Sequence, residues 1–491
     1  MLQELMPAGG AYNSFGTSRE EALEQHLYGQ EEVEIAKALA HNGQVGTDGS
    51  ALNGYDLDRV TRYATLDERN HLPKTRRMHT FDGKALTTEW NRLVSRGTAE
   101  GNFRSEGALG VSDSSVLERI KKSMRYLGRT GAVTRALQEA AGGSFGDAKA
   151  FEMKEQLIRF LLNMERDIWF AESNLNSLAF DGLFAQASTD SDFNVDLATQ
   201  DSGGKIIAGG SLLIDNIYGQ IDVPISYGGN FTALYVSPRD KAALSQAENG
   251  GVRYLQQNQL SNIGIGMKVD QIANVFSPNP LDLVWDIHLG GPRGKYVHTP
   301  EDPTKAAKFH SQAPSQLAAA PTFAASAGGF LPDDTYNYAF ALVNEVGEGP
   351  IKFGASGQAT TGSNNSVTAT ITYPNDIGEA KSVRLYRSTS SNSDYKKMRL
   401  VKEVAIPAGA LPAGTLDIVD DGSIVPGSRY AVLVDEYSVA MGALEKPVAA
   451  DLPRIDNTHR FSIDAIATQL LYVQQHMLIF RNIGGSVKDP A

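Results

Sequence analysis

Gly142-Gly143-Ser144-Phe145-Gly146 has the spacing of an elbow that presents a serine nucleophile, and a helical stretch follows it. That chemistry needs a buried strand before the serine and backbone N–H groups aimed at an oxyanion. The preceding RALQEAA is not an apolar run and no HGGG-like segment occurs, so a glycine-rich turn feeding a helix explains these residues. Gly291-Pro292-Arg293-Gly294-Lys295-Tyr296 matches the end of a phosphate loop only superficially. It lacks the Ser/Thr that would reach magnesium and the first glycine at the required distance. The nine histidines include no H-x-x-x-H pair. His288, His298 and His310 are too far apart in loop-like sequence to act as ligands and are expected at the surface. Asp417, Asp420 and Asp421 precede Gly422, but the alternating oxygen donors and terminal Glu of a calcium loop are missing, which leaves an acidic β-turn. Without cysteine there are no disulfides, thiolate nucleophiles or cysteine zinc sites. No catalytic residue, metal or cofactor is expected, and the chain does not read as an enzyme.

A different chemistry is offered by SSVLERIKKSMRYLGRTGAVTRALQEAA, residues 114–141. Here Arg119, Lys121, Lys122, Arg125, Arg129 and Arg135 concentrate positive charge in a chain of net charge −12. Val116, Ile120, Met124 and Leu127 fit a helix, whereas Gly128 and Gly131 bracket a tight turn and strand-like residues follow. Spacing leaves both open: a solvated helical face, or a projecting basic hairpin. As a nucleic-acid reader the segment lacks interleaved aromatics, Tyr126 being the only one near, and the whole chain is acidic. As an interface element its charge meets acidic groups of a neighbouring copy, which fixes register more than affinity.

Such an element needs a rigid base, and DAKAFEMKEQLIRFLLNMERDIWFAE, residues 147–172, supplies one. At about 1.5 Å per residue it spans about 39 Å as a helix. Lys149, Glu152, Gln156, Arg159, Asn163 and Arg166 recur at helical spacing, with Phe151, Leu157, Phe160, Leu161, Met164 and Ile168 covering the rest. Asp147 is the expected N-cap and Glu155 to Arg159 an i,i+4 pair. Residues 1–75 read as an arm with two modest helical stretches (Ser18 to His41, Asp56 to Glu68). After the long helix come short strands, one short helix and glycine-rich turns, an α+β pattern. Residues 298–321 read as a linker. The strands YNYAFALVNE, SVTATITY, SVRLYRST, MRLVKEVAI and GTLDIVDD then recur at β-sandwich spacing, and SIDAIATQLLYVQQHMLIFRNIGG returns to the first body. A chain of 491 residues is too long for one core. No secretory signal pattern and no apolar run of the length that spans a bilayer is present, so no membrane is expected.

The order of these segments resembles the major capsid proteins of tailed bacteriophages with the Hong Kong ninety-seven fold. SEGALGVSDSSVLERIKKSMRYLGRTGAVTRAL looks like the extended-loop hairpin of that family, and DAKAFEMKEQLIRFLLNMERDIWFAESN with FDGL like its spine helix and exit. LLIDNIYGQ with FTALYVSPRDKAALSQ is similar to the start of the axial domain, and LLYVQQHMLIFRNIGG to a returning core strand. DDTYNYAFALVNEVGEG and VRLYRSTSS are similar to immunoglobulin-like or fibronectin type III domains. The resemblance implies an α+β phage capsid fold with an N-terminal arm (1–75), an extended-loop region with a basic hairpin (76–146) and a spine helix with peripheral and axial domains (147–313). An inserted immunoglobulin-like sandwich (314–428) and returning core strands (429–491) complete it. It implies a major capsid protein made in the bacterial host cytoplasm. The protein would assemble with itself into hexamers and pentamers of an icosahedral virion shell around double-stranded DNA, with scaffold, portal and decoration proteins as further partners. The six cations named above would lie at the contact between subunits. A decoration or tail-tube protein is the nearest alternative, and a serine hydrolase around Ser144 one of another class. No pro-segment processing site stands out, and no motif marks a Lys–Asn crosslink.

Overall fold

The computed structural model describes residues 74, 77–97, 103–107, 109, 113–141, 147–247, 270–274, 277, 280–290, 300, 303–304, 309, 311–317, 319–354, 357–373, 380–388, 394–407, 414–453 and 456–487. Nearly all of them belong to one unit, residues 64–139 and 147–491. The arm helices, the Ser144 turn, the Gly291–Tyr296 motif, His298 and His310 lie outside the described residues.

In chain order, β1 (His79–Asp82), β2 (Thr87–Ser95), β3 (Val116–Ser123) and β4 (Arg125–Thr134) precede helices α1 (Arg135–Ala141) and α2 (Ala148–Phe170). After α3 (Leu183–Gln186) come β5 (Asn194–Asp196), β6 (Thr199–Gln200), β7 (Ile206–Ala208), α4 (Ile214–Tyr218), α5 (Asp222–Ser226), β8 (Ala233–Val236), α6 (Pro238–Ala247), β9 (Gln271–Ile272) and β10 (Leu281–Trp285). A β-only stretch follows: β11 (Thr322–Ser326), β12 (Thr335–Tyr336), β13 (Tyr338–Val343), β14 (Lys352–Phe353), β15 (Gln358–Ala359), β16 (Ser366–Tyr373), β17 (Ser382–Arg387), β18 (Arg399–Ala405) and β19 (Gly414–Asp420). The last four strands are β20 (Arg429–Val434), β21 (Val439–Leu452), β22 (Thr458–Leu471) and β23 (Met477–Ile483). The fold is α+β.

Helix α2 forms where its periodicity places it. Asp147 accepts from the Lys149 and Ala150 N–H groups, and 23 helical residues span about 35 Å. The chain turns extended at Ala171. Two expectations along it fail. Gln156, placed on the polar face, is buried, and the Glu155–Arg159 ion pair does not form.

Beneath α2 lies a sheet of order β1-β21-β22-β4. β21 and β22 are fourteen residues each and antiparallel, β4 runs antiparallel to β22, and β1 is parallel to β21. Phe160, Met164, Ile168 and Trp169 of the helix meet Met441, Phe461, Ile463 and Ala465 of the sheet in one core. The second sheet has the order β5-β23-β20-β8-β10-β9. Alternate residues of its strands face opposite ways. Ala233, Tyr235, Val432, Val434, Met477 and Ile479 join the core under α2. Leu234, Val236, Leu433, Leu478 and Phe480 form another core with Ile217 and Leu244. Both faces are covered, which is why these strands read as continuous apolar runs.

Strands β11-β16-β19 and β14-β13-β17-β18 make two sheets around one core, with Tyr338, Phe340, Leu342 and Leu385 against Val367, Ala369, Ile371 and Ile418. That core also takes Leu317, from the stretch expected to be linker, and Ile206 and Val487 from outside the β-only stretch. At the exit, Asn482 adopts φ +59° and accepts from the Val425 N–H. Its amide donates to Asp196 and to the Ser423 carbonyl.

Candidate assembly surface and buried charge

The hairpin exists, but not where the glycines placed it. β3 pairs with β2, in register from Thr87↔Ser123 to Ser95↔Val116, and β4 pairs with β22 instead. Gly128 and Gly131 therefore sit inside a strand rather than at a turn. The reason is cross-strand space. A Cβ on Gly131 would stand 2.2 Å from Phe461 Cζ, and one on Gly128 2.8 Å from Asp464 Oδ1. The helical reading of Val116, Ile120, Met124 and Leu127 fails for the same pairing.

The β2–β3 ribbon joins no third strand among the described residues. Its base is held by Trp90, whose Nε1 donates to the Tyr472 carbonyl at 3.3 Å and whose ring meets that of Tyr472 edge-on at 5.6 Å. Toward its far end Leu93 (44% exposed) and Leu117 (63%) lie opposite each other, beside exposed Val94 and Val116, and Phe103 and Leu109 in the connection are almost wholly exposed.

The six cations separate into groups. Arg119 (3.7 Å) and Lys121 (2.9 Å) share Glu89 across the ribbon, and the Lys121 ammonium donating to it holds the Glu89 carboxyl below its ordinary value. Lys122 reaches Asp181 at 2.8 Å. Burial opposes ionisation of Asp181, but Lys122 and Ser173 outweigh it and its pKa falls. Arg135 stands 3.9 Å from Glu139. Arg125 and Arg129 lie on the side of β4 turned toward α2, where burial and then the Arg159 and Arg166 guanidiniums lower the Arg129 pKa. The structure does not bring the six together into one patch.

A set of charges missed by sequence reading is buried at the C-terminal half of α2. Lys74 is fully buried, its N–H donates to Glu165 Oε1 at 2.6 Å, and its ammonium lies 4.7 Å from the centre of the Tyr235 ring. Burial lowers its pKa to about 8 despite Glu436 and Glu165. Asp286 accepts from Trp169 Nε1 at 2.7 Å and from the His288 N–H at 2.8 Å; burial and then Glu165 raise its pKa to about 8. Arg77 clamps Glu436 and Asp282, each at 2.8 Å, and Glu436 also accepts from the Tyr235 hydroxyl. These contacts bind the segment before β1 to the body. Glu165 on the apolar stripe of the helix, and Asp286 inside LDLVWDIHL, were the available signals. His288 is buried, not at the surface.

Ser438, His476 and Asp435 have the residue types of a hydrolytic triad but the wrong geometry. Ser438 Oγ (2.6 Å) and Asp435 Oδ2 (3.4 Å) both face His476 Nδ1, while Nε2 meets the Tyr227 carbonyl at 3.1 Å. Catalysis needs the serine and the carboxylate on opposite nitrogens. The trio instead ties the turn after α5 to the ends of the central strands. Burial works against its charge, but Asp435 and Tyr227 raise the His476 pKa overall. Asp420 is buried and paired with Arg387 at 2.6 Å, so it faces no open calcium loop. No group of three or more His, Asp or Glu side chains fit to hold a metal occurs among the described residues.

No family model matches the chain, and no curated protein does. Solved structures with a similar course include the Cyanophage A-1(L) capsid asymmetric unit, at 10% identity and TM-score 0.48 over 88% of this chain and 98% of that one. The capsid of the native GTA particle aligns at 7% identity and TM-score 0.42, over 90% and 100% of the two chains. The capsid of Myoviridae Phage XM1 aligns at 9% and TM-score 0.41, also over 90% and 100%.

Proposed function

We propose that this chain is the major capsid protein of a tailed phage, forming hexamers and pentamers of an icosahedral shell around double-stranded DNA. The observation that carries the reading is the two-stranded ribbon of β2 and β3. Two strands alone are marginal in water. This pair stands beyond any third strand among the described residues and exposes Leu93, Val94, Val116 and Leu117 toward its far end. Apolar surface presented so far from the core wants a second body. In a closed shell each copy both offers such a ribbon and receives one. Arg119 and Lys121 share a single carboxylate, Glu89, so the ribbon keeps one surplus positive charge for an acidic neighbour. The same reading takes the β-only stretch as an inserted immunoglobulin-like domain within 314–428. It places the protein in the virion after synthesis in the host cytoplasm, with scaffold, portal and decoration proteins as further partners.

Expression of the full chain with negative-stain microscopy tests this. Closed shells are expected. Leu93→Asp with Leu117→Asp should abolish them while leaving thermal unfolding of the subunit nearly unchanged, because both side chains are already half in water. Open tubes would point to a tail-tube protein. A small oligomer that hydrolyses esters would point to the chemistry of Ser144, and either result overturns the proposal.

A further inference from the structure

We propose that the arginines lining the groove between β4 and α2 form a contact for the phosphate backbone of double-stranded nucleic acid. This deepens the reading of a DNA-enclosing shell and rests on it. Strand alternation puts Arg125, Leu127 and Arg129 on the side of β4 that faces α2, and Leu127 packs on the core under that helix. From the helix, Arg159 and Arg166 stand seven residues apart, two turns, on one face. Arg129 is half-buried between the two elements, with Arg159 and Arg166 as its charged neighbours. Among the described residues neither Arg125, Arg129 nor Arg159 has a carboxylate partner; Arg166 has only the adjacent Asp167, at 2.9 Å. Three guanidiniums, Arg129, Arg159 and Arg166, thus stand near one another, with Arg125 farther along the same face of β4, and Asp167 is the one carboxylate paired with any of them. Folding them together has an electrostatic cost that an added anion relieves.

The surroundings favour phosphate over a second copy of the chain. Asn163, between Arg159 and Arg166, is exposed and polar; exposed apolar side chains on these two elements are single, Tyr126 on β4 and Phe151 in the first turn of α2, whereas the β2–β3 ribbon carries Leu93, Val94, Val116 and Leu117 together. Stable protein interfaces centre on apolar surface, whereas nucleic-acid interfaces are polar and positively charged. Guanidinium forks match phosphate oxygens in pairs. Tyr126, the nearest exposed aromatic on β4, points to the opposite side of the strand. Between Arg159 and Arg166 the one ring, Phe160, is buried, and the exposed Phe151 lies two turns before Arg159, so a duplex backbone fits better than a single strand stacked on rings.

The test uses the soluble, unassembled full chain and a fluorescent 30-base-pair duplex of arbitrary sequence, titrated by anisotropy at several salt concentrations. Arg129→Gln with Arg159→Gln should weaken binding about tenfold or more in 0.1 M salt and reduce the slope of log K against log salt by about 1.8, two phosphate contacts' worth. Arg159→Gln alone, at an exposed site without partners, should give about half that slope change and guards against a misfolded double variant. Arg119→Gln with Lys121→Gln, on the ribbon, should leave binding unchanged. Equal affinity and slope for the wild type and both groove variants would overturn the proposal. So would a change in oligomeric mass on light scattering with duplex binding intact, which would assign the groove to a second copy. Duplex binding lost in the groove variants by a chain that never forms shells would sink the capsid reading and leave this contact standing.

Discussion

Replacing Arg387 by Met keeps most of the side-chain stem and removes the guanidinium that faces Asp420. Both side chains are 0% exposed and 2.6 Å apart. Breaking a buried pair by deleting one partner costs about 3–5 kcal/mol, because the remaining charge has lost its counter-ion without regaining water. Asp420 would keep the Tyr338 hydroxyl at 3.0 Å and the Gly422 N–H at 3.0 Å, which places the cost near the lower end, about 3 kcal/mol. The thermal consequence depends on what unfolds with it. If the two-sheet sandwich, about 100 residues, melts as its own unit, each kcal/mol moves its midpoint about 4–8 °C, so a shift of about 12–24 °C is expected. If it melts with the whole described body the shift is about 6 °C or less, since the entropy of unfolding grows with size. Differential scanning calorimetry separates these outcomes, because only the first splits off an early transition. Arg387→Met with Asp420→Leu should recover most of the loss, as an apolar pair replaces a broken ionic one. A single variant within about 1 kcal/mol of wild type in urea would refute the reasoning.

Two other perturbations read the core. Lys74→Met should stabilise the protein below pH 8 by about 3 kcal/mol, from the fall of the lysine pKa from 10.5 to about 8. The unfolded chain binds the extra proton between those values, so wild-type stability should rise with pH from about 8 to 10.5 and the variant's should not; parallel urea midpoints for the two proteins across that range would reject the buried cation. Gly131→Val should cost about 2 kcal/mol by overpacking against Phe461, with partial rescue by Phe461→Leu, and a neutral Gly131→Val in thermal melts would contradict the strand pairing.

Much of this was legible in sequence because it depends on local period. The long helix, its Asp147 cap and the sandwich strands all follow from spacing within a few residues. What failed depends on distant partners. Gly128 and Gly131 look like turn residues until Phe461 and Asp464, more than 300 positions away, are seen to occupy the space a side chain would need. Lys121 looks available to another molecule until Glu89 is placed across from it, and Lys122 until Asp181 is. Lys74 carries no periodic signal, and only the fold reveals the rings and carboxylates around it. The candidate surface was visible as a charge density and not as a geometry.

The sheet beneath the long helix joins strands from opposite ends of the chain, β1 and β4 flanking β21 and β22. During synthesis, residues 79–170 leave the ribosome well before the strands that cover their apolar faces exist. At 5–20 residues per second the wait from Phe170 to Leu471 is about 15–60 s. Throughout it the ribbon of β2 and β3 lacks Tyr472, the anchor of its base. Contacts of such long sequence separation form late and slowly. The fold thus acts as a timer: a growing chain cannot hold the ribbon rigidly on its base until nearly all of it has been made.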